Sequence, residues 1–169
     1  MNIKLFFAAV IFFFASAGVA LAGLVNEKAP DIVLPDLSGK TISLSDFKGK
    51  VVFVDFWSTY CASCKIELPE INKLVDKNKG SVAALAISID KKRSHVDDYL
   101  ARLPKFSEYF HVLLDTEPKV MPAYNALMPS AFIIDKDGYV RYVHFGFRES
   151  DPQQWAGEVE ELLRKGDGR

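Results

Sequence analysis

Cys61 and Cys64, two residues apart, are the only cysteines of the chain. At the start of a helix that spacing puts the two sulfurs within one turn of each other, close enough to join as a disulfide. A helix N-terminus also offers unpaired N–H groups and the positive end of the peptide dipoles, which favour a thiolate on the exposed first cysteine. Cys61 is therefore the candidate nucleophile. Cys64 is the candidate resolving thiol, which attacks Cys61 in a mixed disulfide and releases the reduced substrate. A purely structural bridge is the competing reading, but closing so short a loop removes little chain entropy and stabilises weakly. Two thiols are too few for a disulfide-stapled scaffold and one pair short of a four-thiolate zinc site. As soft ligands they suit Cu(I), which makes a copper-handling protein the non-enzymatic rival. It would want a third ligand, and His95, His111 and His144 are scattered along the chain.

Two carboxylates are placed to move protons for this pair. Glu67 lies three residues after Cys64, on the same helix face and about one turn on. Asp55 sits in an apolar run six residues before Cys61, where burial would raise its pKa and make it a base near neutrality. The sequence does not divide the proton between them.

The elements that position these groups follow from periodicity. Alternation around Pro35 to Lys40, within Ala29 to Lys50, predicts a hairpin. Val51 to Trp57 is a nearly continuous β-branched and aromatic run, the pattern of a central strand covered on both faces. A helix is expected from Cys61 to Lys77, kinked at Pro69, which has no N–H to donate. Val82 to Ile89 reads as a second buried strand, and Ser94 as the N-cap of a short helix from His95 to Leu103. Val112 to Leu114 is a short extended segment, and Lys119 to Leu127 a further helix with Pro122 in its first turn. Ser130 to Ile134 and Tyr139 to Val143 flank an Asp-Gly step, a strong hairpin signal. Asp151 then caps a closing amphipathic helix to Leu163, with Pro152 at its first position. This order predicts an α/β fold with a mixed central sheet, parallel through the crossovers and antiparallel at the last hairpin. The basic cluster Lys91-Lys92-Arg93 falls in a strand-to-helix turn and reads as a solvated loop.

The remaining bounds come from composition. The 169 residues allow one domain plus a targeting segment. A net charge of -1, from 21 basic and 22 acidic residues, lacks the basic excess that binding to nucleic acid through phosphate neutralisation requires. Residues 1-22 carry Lys4, an apolar run from Leu5 and the A-x-A step Ala20-Leu21-Ala22, a secretory signal peptide or else an uncleaved N-terminal anchor. Residues 23-169 are then one domain outside the cytoplasm, where disulfides persist.

The segment Asp55-Phe56-Trp57-Ser58-Thr59-Tyr60-Cys61-Ala62-Ser63-Cys64-Lys65, with Pro69 five residues on, resembles the thioredoxin superfamily. Ala29-Pro30-Asp31 through Leu44 to Lys50 is similar to the N-terminal hairpin extension of its exported TlpA/ResA-type, AhpC/TSA-related thiol:disulfide oxidoreductases. The resemblance implies a thioredoxin-like fold with that β-hairpin extension. It implies that Pro129, in Met128-Pro129-Ser130, is a cis-proline packed against the cysteines, and that Trp57 and Tyr60 flank the redox site, with simple packing the competing reading for either and Tyr60 the ring favoured to face substrate. An acidic residue at the position of Glu67 is a feature of the TlpA/ResA type, and a buried aspartate at the position of Asp55 a feature of thioredoxin. Many TlpA/ResA-like proteins have asparagine at that second position, so keeping both acids departs from either pattern. Ala62-Ser63 between the cysteines lacks the histidine of strong oxidants, which favours a reductant. The implied function is a periplasmic reductase of protein disulfides. Its electrons would come from a membrane-embedded thiol donor, and its substrates would be oxidised proteins such as apocytochrome c. The redox-active disulfide would be the only redox group, without a further cofactor or metal, in a monomer. A peroxidase would need a Pro-x-x-x-Thr-x-x-Cys pattern that neither cysteine has.

Overall fold

A computed structural model describes residues 23–165. The expected leader in residues 1-22 lies outside the described residues.

The sheet is organised around β3 (Val51–Trp57), every residue of which is buried. We number the strands in chain order as β1 (Val33–Pro35), β2 (Thr41–Ser43), β3, β4 (Val82–Ser88), β5 (Phe110–Leu114), β6 (Ser130–Ile134) and β7 (Val140–Phe145). The five-stranded sheet has the order β5-β4-β3-β6-β7. Strands β3, β4 and β5 run parallel, whereas β6 lies antiparallel to both β3 and β7. The mixed sheet expected from the element order is therefore present. The helices are α1 (Ala62–Lys77), α2 (Arg93–Leu100), α3 (Val120–Ala123) and α4 (Asp151–Lys165).

Successive side chains of β3 point to opposite faces of the sheet. Val51, Phe53 and Trp57 join Leu68, Ile71, Val75, Trp155 and Val159 in the layer under α1 and α4. Val52, Val54 and Phe56 pack on the other side with Ile32, Leu34, Ile42, Phe47 and Tyr124, so the hairpin and α3 cover that face. Phe56, Tyr124 and Phe132 form a triangle of ring contacts there, and the Tyr124 hydroxyl donates to Pro30 O at 2.8 Å. By the same alternation Asp55 shares the face of Phe53 and Trp57, under α1.

The N-terminal hairpin is smaller than expected. Its strands have three residues each, and Leu44–Phe47 is a turn of 3-10 helix closed by a reciprocal cap between Ser43 and Asp46. Helix α2 begins at Arg93 with Lys92 as its uncapped N-terminal residue, so Ser94 lies inside the helix instead of capping it. It ends at Leu100, short of Leu103, with a turn leading to Pro104. Helix α3 is four residues, not nine, because Asn125 takes a positive φ of 47° and breaks the turn. The extended segment expected at Val112–Leu114 is a full edge strand from Phe110. Among the described residues no helix is long and apolar enough to cross a membrane.

Candidate redox site

Strand β3 delivers the chain to the C-terminal end of the sheet, and the turn Ser58–Tyr60 carries it into α1. Cys61 is the N-cap of α1, in extended conformation, and its Sγ accepts the Cys64 N–H at 3.2 Å. Cys61 and Cys64 form a disulfide with Cα atoms 5.3 Å apart. Cys61 is half-buried and Cys64 fully buried, so the sulfur open to solvent is the one at the helix end. That is the asymmetry a nucleophile and a resolving thiol require.

Beneath Cys64 the site is apolar and acidic together. Asp55 and Glu67 are buried, and none of their four carboxyl oxygens has a hydrogen-bond partner among the described residues. Burial pushes Asp55 up to about 8. Burial, then the charge of Asp55, then that of Asp151, pushes Glu67 up to about 9. The two acids titrate as a pair, protonated for the most part at pH 7 in the oxidised protein with a minor carboxylate fraction. The contribution of Asp151 was not foreseen, since its sequence position suggested only a cap. It is the first residue of α4, is itself buried, and accepts the Arg148 N–H at 2.7 Å.

The other anticipated residues fall on two sides of this centre. Met128–Pro129 is a cis peptide bond, and Pro129 is buried. It immediately precedes Ser130, the partner of Phe56, so the register sets it level with the end of β3. Trp57 is fully buried and packs on Tyr99 at 5.6 Å, which makes it part of the core instead of the rim. Tyr60 is 76% exposed beside Cys61, and its hydroxyl is hydrogen-bonded to His95 Nδ1 at 2.7 Å.

Asp90 is a residue that sequence reasoning passed over. It is buried and accepts three hydrogen bonds: from Thr59 N–H at 2.8 Å, Thr59 Oγ1 at 2.6 Å and Ser88 Oγ at 2.9 Å. It ties the turn that presents Cys61 to the end of β4. The only available clue was its place at the end of an apolar run. The histidines are dispersed: His95 on Tyr60, His111 against Phe47, and His144 on Glu158 at 2.7 Å. Among the described residues no group of three or more His, Cys, Asp or Glu could hold a metal ion.

A cysteine pair at the junction of a central strand and a helix, on this sheet order and with a cis-proline level with the end of that strand, defines a thioredoxin-like protein. The chain belongs to the AhpC/TSA family, whose profile matches residues 25–143. It is 34% identical over 143 residues to the thiol-disulfide oxidoreductase ResA of Bacillus thuringiensis, covering 83% of this chain and 78% of the relative. Against ResA of Geobacillus kaustophilus the identity is 38% over 125 residues, 72% of this chain and 70% of the relative. Among solved structures, a Chlorobium tepidum protein provisionally named thiol:disulfide interchange protein DsbE superimposes with a TM-score of 0.73. It shares 32% identity over 85% of this chain and 98% of the other. The chain is a thioredoxin-like thiol:disulfide oxidoreductase.

Proposed function

We propose that the chain acts outside the cytoplasm, in the periplasm or an equivalent compartment, as a reductase of protein disulfides in the service of cytochrome c maturation. The observation that carries the reading is the solvent-open Cys61 joined to a buried Cys64, with two buried carboxyls whose titration is raised toward that of a thiol. In the reduced enzyme the Cys61 thiolate attacks one sulfur of a substrate disulfide, and the first substrate thiolate leaves. In molecules where one of Asp55 and Glu67 is ionised, Cys64 gives its proton to that carboxylate, then attacks Cys61 Sγ and expels the second substrate thiolate. Two electrons thus pass to the substrate and the Cys61–Cys64 disulfide re-forms. An ordinary thiol titrates near 8.5, so carboxyls raised to about 8 and 9 exchange a proton with it at little cost. Asp55 and Glu67 are the proton-transfer residues in this reading, Pro129 and Tyr60 border the attacking sulfur, and Trp57 supports the site from the core. No cofactor beyond the disulfide takes part.

The likeness to ResA and DsbE supports thiol:disulfide exchange, and the absence of histidine between the cysteines supports the reducing direction. A membrane-embedded thiol donor would return the pair to the dithiol, and apocytochrome c, with its Cys-x-x-Cys-His segment, is the proposed substrate of a monomeric enzyme. The reduction potential of the Cys61–Cys64 couple, measured by equilibration in thiol buffers at pH 7, tests this. A value near roughly -270 mV fits a reductase, whereas one near roughly -120 mV makes the protein a disulfide donor and ends the reading.

A further inference from the structure

An open cleft of about 520 Å³ lies against the turn that leads into Cys61, lined on that side by Ser58 and Tyr60. Tyr60 and Met128, the residues that precede Cys61 and Pro129, line it together with Lys91, Lys92 and His95. Two members of the basic cluster that the sequence placed in a solvated turn, Lys91 and Lys92, therefore line a cleft next to the turn that carries Cys61. Its charges are unequally committed. Arg93 is paired with Asp97 at 3.1 Å, whereas Lys91 and Lys92 are exposed and form no ion pair among the described residues. Asp90, the one carboxylate lining the cleft, is buried and already takes three hydrogen bonds from Thr59 and Ser88. His95 is held by the Tyr60 hydroxyl. Two ammonium groups thus remain to meet a ligand. The rim is apolar beside them: Tyr60 and Met128 are exposed.

We propose that this cleft selects protein disulfides flanked by acidic side chains. The occupant is an extended segment of an oxidised protein that lays apolar residues on the rim while a nearby Asp or Glu reaches Lys91 and Lys92. The proposal rests on the reading of the chain as a reductase of protein disulfides. It narrows the substrate class: a Cys-x-x-Cys-His segment with acidic neighbours qualifies, and one with basic neighbours does not. Charge complementarity of this kind acts mainly on encounter and on rejection of wrong partners.

The test uses three peptides, each closed by one disulfide and identical except for Glu, Gln or Lys at the two flanking positions. Each is mixed with the pre-reduced protein at low ionic strength. The second-order rate constant is divided by that of the same peptide with a neutral small dithiol, which removes intrinsic reactivity. The expected order is Glu above Gln above Lys, spanning about tenfold if two exposed charge pairs form. It should shrink strongly at about 1 M salt, where the screening length is roughly 3 Å. The K91E/K92E double variant should reverse the order. Equal, rapid reduction of all three peptides by the unaltered protein overturns the acidic preference and leaves the reductase reading standing. Reduction of none of them overturns both.

Discussion

Replacing Asp55 by asparagine tests whether a neutral carboxyl sits inside this fold. In the unfolded chain Asp55 ionises near 3.8, and in the folded, oxidised protein only near 8. Between those values the fold holds a proton that the unfolded chain has released, so stability falls as pH rises through the window. It levels off above about 8, where the folded form ionises too. Each pH unit is worth about 1.4 kcal/mol, and the three units from pH 4 to 7 amount to about 4 kcal/mol from this one residue. That is a large share of the roughly 5–15 kcal/mol that holds a domain together. Water entering the site on ionisation would cut the figure to about half. Asparagine has nearly the same shape and no proton to lose. Oxidised D55N should therefore match the parent protein near pH 4 and exceed it by about 2–4 kcal/mol at pH 7, with Glu67 still supplying a slope of its own. Urea unfolding of both oxidised proteins at pH 4, 5.5, 7 and 8.5 measures this. Parallel stability curves would refute the reasoning, because they would mean that Asp55 ionises in the fold as readily as outside it.

Glu67→Gln should remove the rise in disulfide-exchange rate that the parent protein shows as pH approaches about 9, at a cost of about 10²-fold in the resolving step. Stopped-flow rates against pH for E67Q and D55N check this, and unchanged profiles in both would defeat proton transfer by the pair. Cys64→Ser should leave Cys61 able to attack and so accumulate a mixed disulfide with substrate, visible by mass spectrometry, while Cys61→Ser accumulates none. Asp90→Asn loses the charge in three hydrogen bonds and turns one acceptor oxygen into a donor, which should cost about 1.5–3 kcal/mol in denaturant unfolding. Thr59→Val, which removes only the hydroxyl, should cost about 1 kcal/mol.

What the sequence made legible was whatever depends on local period and spacing. The unbroken run Val51–Trp57 could only be a strand covered on both sides, and it lies in the middle of the sheet. The Asp-Gly step did make a hairpin, with Gly138 at φ 83° accepting the conformation that the turn demands. Cys61 and Cys64 came from their spacing at a strand-to-helix junction; Asp55 and Glu67 were each legible as candidates, but their meeting as a coupled pair emerged only from the packing of β3 against α1. Element ends were less readable where no residue announces them. Asn125, for instance, ends α3 by a backbone conformation that its neighbours do not signal. Trp57 and Tyr60 show another limit: position beside the redox motif left flanking and packing both open, and the alternation that buries Phe53 buries Trp57 as well while Tyr60 stays exposed.

Asp90, Lys91 and Lys92 show why the rest of the site was hidden. Their importance depends on which strand lies beside β3, and that is a property of the crossover instead of any local pattern. Once β3 and β4 are parallel neighbours in the register Trp57 to Ser88, the residues after each strand must emerge together at one edge of the sheet. The Ile89 N–H bonded to Trp57 O at 3.1 Å continues that pairing one step beyond the strands. Thr59 then meets Asp90, and Tyr60 meets the cleft of Lys91, Lys92 and His95. A turn that is ordinary solvated chain in one dimension becomes, through a single parallel pairing, the wall of a cleft next to the Cys61 turn. The same pairing explains why anchoring and recognition share so few residues. Asp90, facing inward, fixes the Cys61 turn, while its two successors in sequence, facing outward, are left with charge to spend on a substrate.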